Sequence, residues 1–163
     1  MKKLFAQTLL VGLTAAALTA CTSAKETAHT GHAAAEHAQG DLQEKTASLQ
    51  ELPQFLKNQR EEIRLVYQIA GTHAKLLQHI PCYCGCGESV GHQSNKNCFI
   101  KEINQDGSVV WDDHGTRCGV CLNIAVESAR LNKDGLSDKE IRDYIDGKYK
   151  SGFAKPTPTP MPV

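Results

Sequence analysis

Between Leu52 and Ile80 apolar side chains return at Leu52, Leu56, Ile63, Val66, Tyr67, Ala70, Ala74 and Leu77, which is the rhythm of a helix and not the alternation of a strand. Pro53 suits a first helical position, and Gly71 followed by Thr72 divides the segment into a long helix and a short one. Pro81 disfavours helix at the residue before it, so a loop is expected from there on. In CFIKEINQDGSVVWDD the pattern changes. Phe99, Ile100 and Ile103 approach Asp106-Gly107, and Val109, Val110 and Trp111 leave it, which predicts a β-hairpin. Cys121, Ile124, Ala125, Ser128 and Leu131 then share one helical face, with Gly135 placed to end that helix. Ser137 and Glu140 form a capping box ahead of IRDYIDGKY. The expected fold is therefore α+β and mostly helical: a long N-terminal helix, a Cys-rich loop, a β-hairpin and two C-terminal helices over residues 51–153, in one small domain.

The flanks are different in kind. MKKLFAQTLLVGLTAAALTAC carries Lys2 and Lys3, an apolar run from Leu9 to Ala20, and then Cys21, the pattern of a secretion leader over residues 1–20. The run is short for a membrane span of about 20 apolar residues. LTAC resembles the lipobox of bacterial lipoproteins, which implies cleavage before Cys21 and lipidation of its sulfur; two acyl chains there suffice for stable anchoring. Residues 21–50 are poor in large apolar side chains and read as a flexible tether. His29, His32 and His37 lie in it with nothing to fix their geometry, and so read as solvated residues before they read as a cation site. Residues 154–163 carry Pro156, Pro158, Pro160 and Pro162, which favours an extended, polyproline-type tail.

Charge removes one class of partner. The chain has 18 basic and 18 acidic side chains; loss of Lys2 and Lys3 with the leader leaves 16 against 18, a net charge of −2. No basic footprint for nucleic acid exists in that balance. About 100 ordered residues make a small core that gains from covalent or metal staples.

Cysteine supplies the candidate chemistry. With Cys21 committed to lipid, six of the seven cysteines remain, in an extracytoplasmic chain where disulfides can persist. Cys82, Cys84 and Cys86 alternate, so in an extended backbone their sulfurs point one way, while Gly85 and Gly87 let the loop curl. Cys98, at the start of the hairpin, and His92, in the connecting loop, supply further donors. Cys118 and Cys121 form a CxxC at a helix start, where N–H groups and the dipole favour thiolate, and His114 precedes them. Antiparallel pairing brings the two ends of the hairpin, and hence the two clusters, together. Thiolate and imidazole donors suit Zn(II) or Cu(I).

Three readings are open on these residues: a metal site, a redox dithiol at Cys118 and Cys121, or disulfides pairing Cys82, Cys84 and Cys86 with Cys98, Cys118 and Cys121. Three bridges converging on five residues crowd the geometry that disulfides need, whereas convergence is what a metal site requires. His73 and His79 lie about 240° apart around a helix and read as ordinary surface or packing residues. Beyond the thiols and the histidines near them there is no acid–base pair and no nucleophile–base grouping, which points to a binding protein more than to an enzyme. The expected partners are the membrane, through Cys21, and a protein that receives metal or electrons.

The hexapeptide PCYCGC at Pro81–Cys86, followed by GESVGH, CFI, WDDHGTRCGVCLNIA, EIRDYID and PTPTPMP, resembles the bacterial PCYCGC-motif lipoprotein family over about half of the mature chain. The resemblance implies an extracytoplasmic, lipid-anchored location. It marks Cys82, Cys84, Cys86, His92, Cys98, His114, Cys118 and Cys121 as motif positions. A second resemblance covers Arg117–Tyr149: RCGVC followed by GLSDKEIRDYIDGKY is similar to the short helical domain of cytochrome c maturation thiol reductants, which implies redox activity for Cys118 and Cys121. Leu122 stands where that family usually has Gln, and the CxCxC loop has no counterpart there.

Overall fold

The computed structural model describes residues 40–163; the leader, Cys21, His29, His32 and His37 lie outside the described residues. Strand β2 (Ile100–Ile103) and strand β3 (Val109–Asp112) form the expected hairpin, with Gly107 at φ 84° in its turn. Val109 and Trp111 of β3 are fully buried. A third strand, β1 (Gln43–Thr46), pairs antiparallel with the other side of β3, so the sheet order is β1-β3-β2.

Strand β1 corrects the tether boundary: residues 43–46 belong to the folded domain. QEKT has no apolar alternation because it is an edge strand with only Thr46 buried. Its hold on the domain is polar. The Trp111 indole N–H donates to Thr46 Oγ1 at 2.8 Å, and the Glu44 carboxylate accepts from the backbone N–H groups of Gln54 and Phe55. Leu42 and Asp113 exchange two further bonds, Leu42 N–H to Asp113 Oδ1 and Asp113 N–H to Leu42 C=O.

The N-terminal helix starts later than its apolar stripe. Helix α1 spans Glu61–Thr72, whereas Gln54–Leu56 is a separate 3-10 turn in which Leu56 is buried and Pro53 is the N-cap. Glu61 and Glu62 occupy the first turn of α1, the end of the helix dipole that favours negative charge. The break into helix α2 (Ala74–Leu77) comes at His73, next to the Gly71-Thr72 division. Gly71 is small for a packing reason, since a Cβ there would sit 3.2 Å from the Trp111 ring. Tyr67 at the centre of α1 packs edge-on to Phe99, with ring centroids 5.1 Å apart, and donates its hydroxyl to the Asp112 carbonyl at 2.7 Å, tying helix to sheet.

A one-turn helix, α3 (Cys86–Ser89), follows the CxCxC loop. Helix α4 (Gly119–Lys133) then packs on α1, and α5 (Asp138–Tyr149), opened by the Ser137–Glu140 capping box, packs on α4. The architecture is thus a small α+β domain, mostly helical. Among the described residues no helix is long and apolar enough to cross a membrane.

The Pro-rich tail is extended, as its composition predicts, but it is docked. Thr157 and Thr159 are buried while Pro156, Pro158 and Pro160 face out. The tail backbone runs along the CxCxC loop: Ala154 N–H donates to the Tyr83 carbonyl and Thr157 N–H to the Cys82 carbonyl. The Arg142 guanidinium, 8 % exposed, collects the carbonyls of His79, Thr159 and Pro160, pinning the tail against the helices.

Candidate metal centre

Three pieces of chain deliver the cysteines, and a fourth delivers His114. The CxCxC loop bends at Cys84 and Gly85, the latter at φ 92°, and turns into α3, so the three sulfurs converge through a tight bend and not along a strand. Cys82 Sγ lies 3.4 Å from Cys84 Sγ. The tail holds this loop in place: Cys82 N–H donates to Thr157 Oγ1 at 2.9 Å, and Gly87 leaves room for Thr157, whose Cγ2 would lie 3.3 Å from a Cβ there. Cys98 ends the 3-10 turn Asn95–Cys98 just before β2, and His114 sits in the turn Asp113–Arg117 just after β3. The hairpin therefore places these two residues together, as antiparallel pairing requires. Cys118 is the N-cap of α4 and Cys121 lies in its first turn, with Cys121 N–H 3.5 Å from Cys118 Sγ.

All eight residues singled out by spacing meet in one cluster. Cys82 Sγ is 3.1 Å from Cys121 Sγ, Cys84 Sγ is 3.5 Å from Cys121 Sγ, and Cys86 Sγ is 3.8 Å from Cys98 Sγ. His114 Nε2 is 3.8 Å from Cys84 Sγ, and His92 Nδ1 is 3.5 Å from Cys98 Sγ. Donor atoms within 4.8 Å of one another form the sets Cys84, His114, Cys118, Cys121; Cys86, His92, Cys98, His114; Cys82, Cys84, Cys86; and Cys82, Cys98, Cys121. The six cysteines are free thiols. The CxCxC trio does face the Cys98, Cys118, Cys121 trio, with sulfurs in contact and unbonded. Tetrahedral thiolate sites with metal–sulfur bonds of about 2.3 Å have ligand–ligand edges of about 3.8 Å, so the donor set fits a thiophilic ion with shifts of a few tenths of an ångström.

Electrostatics divide the cluster in half. Hydrogen bonds from Cys121 and Cys84 pull the Cys82 thiol well below its ordinary range, and those from Cys118 and Cys121 do the same to Cys84. Bonds from Cys121 and Cys82 lower Cys86. Burial pushes Cys98 and Cys121 up. For Cys118, the bond to Cys121 lowers the thiol, but its contact with Cys84 and burial outweigh it, and the balance is a rise. The CxCxC trio is thus held lower than the trio of Cys98, Cys118 and Cys121 that faces it. Burial would lower His114, yet its bonds to Cys118 and Cys84 and the nearby Asp41 charge win, and the imidazole is pushed up to about 11.

Asp41 is the member that the sequence pattern does not reveal. Its side chain is 5 % exposed, and its Oδ2 lies 3.3 Å from His114 Nδ1 and 3.7 Å from His92 Nε2, while Oδ1 pairs with Arg117 Nη2 at 2.7 Å. The two imidazoles consequently turn opposite nitrogens to the sulfurs, Nε2 of His114 and Nδ1 of His92, and give the other nitrogen to one carboxylate. A carboxylate behind a histidine fixes ring orientation and raises ligand basicity. Asp41 sits in a polar stretch of the expected tether, and only its proximity to β1 brings it here. His73 and His79 lie outside the donor sets: His73 Nδ1 bonds to the Ile69 carbonyl, and His79 Nε2 to the Gln78 side chain.

Fold and site together define a small α+β protein built around a buried thiolate–imidazole cluster. Comparison with family models places the chain more narrowly: it belongs to the family described as proteins of unknown function with a PCYCGC motif, whose model matches residues 10–162. No curated protein and no solved structure matches the chain, so the likeness of residues 117–149 to cytochrome c maturation reductants has no support from these comparisons.

Proposed function

We propose that this protein is a membrane-tethered, extracytoplasmic lipoprotein that holds a thiophilic metal ion, Cu(I) or Zn(II), in the Cys/His cluster and buffers it or hands it on. The observation that carries the reading is the convergence of six sulfurs and two imidazoles from four separate chain segments, with Asp41 behind both imidazoles. Soft thiolates select these ions over hard ones. Exchange with a recipient is supported by Cys84, the one cluster cysteine that is not buried, at the edge of a site whose other sulfurs are covered. A redox role for the CxxC pair fits less well, because both Cys118 and Cys121 are buried and held as thiols, whereas an exchanging cysteine needs an accessible thiolate.

The leader and Cys21 support the location, and the lipid would keep the site at the membrane surface. The test is competition for Zn(II) and for Cu(I) between the reduced chain and a chromophoric chelator. Cys84→Ser should lose at least tenfold in affinity, whereas His29→Ala should match the wild type, since a converging loop ligand is preorganised and a tether histidine is not. Equal affinity of the Cys84→Ser variant and the wild type for both ions would overturn the assignment.

A further inference from the structure

The donor atoms are too many, and too interleaved, for one ion. A four-coordinate ion uses four of the eight residues, and the remaining four would stay buried beside it without a role. The sets also share members: Cys82, Cys84, Cys86, Cys98, Cys121 and His114 each belong to two of them. His114 can be assigned, because its Nδ1 is turned to Asp41 and its Nε2 to Cys84. That leaves Cys84, His114, Cys118 and Cys121 as one tetrahedral set, and Cys86, Cys98 and His92 as three corners of another. Cys82 lies between them, 3.4 Å from Cys84 and 3.1 Å from Cys121 on one side, and within ligand reach of Cys86 and Cys98 on the other.

Resting on the metal-binding reading, we propose that the cluster is a binuclear centre that holds two thiophilic ions side by side, one on Cys84, His114, Cys118 and Cys121 and one on Cys86, His92 and Cys98, with Cys82 completing the second set against the sulfurs of the first. Charge favours the pair. Six thiolates around one divalent ion leave four negative charges in a site of which five cysteines and both histidines are buried; a second divalent ion halves that residue. Both imidazoles hang on the single Asp41 carboxylate, so the two sets are oriented by one group and fill as a unit. The unfilled set would otherwise keep its thiols protonated inside the domain.

Native mass spectrometry of the full mature chain, reduced anaerobically, released from detergent and titrated with Zn(II), reads the nuclearity directly. The expected end point is two Zn(II) per chain, with the doubly loaded form appearing before the singly loaded form is exhausted, and with all six domain thiols protected from alkylation. Cys118→Ser, which strips one set, and Cys86→Ser or Cys82→Ser, which strip the other, should each saturate at one ion. A wild-type chain that saturates at one Zn(II), with thiols of the other set still alkylated, overturns the binuclear assignment and leaves the metal-binding reading standing. A chain that takes up no Zn(II), and no Cu(I) in a parallel titration, overturns both. The wild-type end point decides even where a variant fails to fold.

Discussion

Replacing Asp41 by Asn preserves the shape of the side chain and removes the charge that orients both candidate imidazole ligands. Asp41 Oδ2 lies 3.3 Å from His114 Nδ1 and 3.7 Å from His92 Nε2. Loss of a carboxylate behind a metal-bound histidine typically costs about 10- to 100-fold in affinity, which is about 1.4 to 2.8 kcal/mol. Two histidines depend on this one group, so the upper end of that range is expected. The fold should survive, because β1 is held by its own ladder to β3, by the Trp111–Thr46 bond and by the Leu42–Asp113 exchange. Arg117 keeps its second partner, Asp113, at 2.6 Å. The assay is chelator competition on the reduced variant, with a urea midpoint measured alongside. Affinity within about twofold of wild type, where about 10- to 100-fold is the usual loss, would refute the orienting role. A collapse of the urea midpoint would show that Asp41 holds the fold and not the ligands.

Three further outcomes follow from the same geometry. Thr157→Val removes the acceptor of the Cys82 N–H and leaves a buried donor without a partner, so stability to urea should fall by about 1–3 kcal/mol; an unchanged midpoint would mean that the tail does not support the loop. Metal binding near neutral pH should release protons, because burial pushes the Cys98 and Cys121 thiols up, Cys118 is also raised, and His114 is raised to about 11, while bonds among the sulfurs lower Cys82, Cys84 and Cys86. Affinity therefore climbs as pH rises, and calorimetry in buffers of different ionisation heat should show that release, which no proton-neutral binding would give. Cys21→Ser should abolish palmitate labelling and membrane retention, since the acyl chains supply the anchoring; equal labelling of variant and wild type would remove the lipobox reading.

The hairpin, α4, α5 and their caps were legible because each is a local signal: Asp106-Gly107 turns, Ser137 and Glu140 cap, and Cys118 stands at a helix entrance. The convergence of Cys98 with His114 was legible too, because the strands between them run antiparallel. Strand β1 was not, since an edge strand reading QEKT derives its place from the backbone ladder and from two long-range side-chain bonds, and pattern alone records neither. Asp41 shares that fate. The stripe through Leu52 and Leu56 continued the helical rhythm of α1, but Leu56 covers the core from a separate turn and Leu52 from the loop before it. In the tail, alternate Thr and Pro announced an extended chain, while the docking of Thr157 and Thr159 depends on the distant carbonyls of Cys82 and Gln93 and on Arg142.

Whether the six thiols serve a metal at all is decided by purifying the mature chain anaerobically and measuring its metal content and its thiols on the same sample. The account predicts stoichiometric zinc or copper, with six domain thiols masked in the native protein and all six titratable once acid or a chelator has stripped the metal. Metal-free protein with no titratable thiols would contradict it, and would mean that the two facing trios of cysteines are joined as disulfides instead.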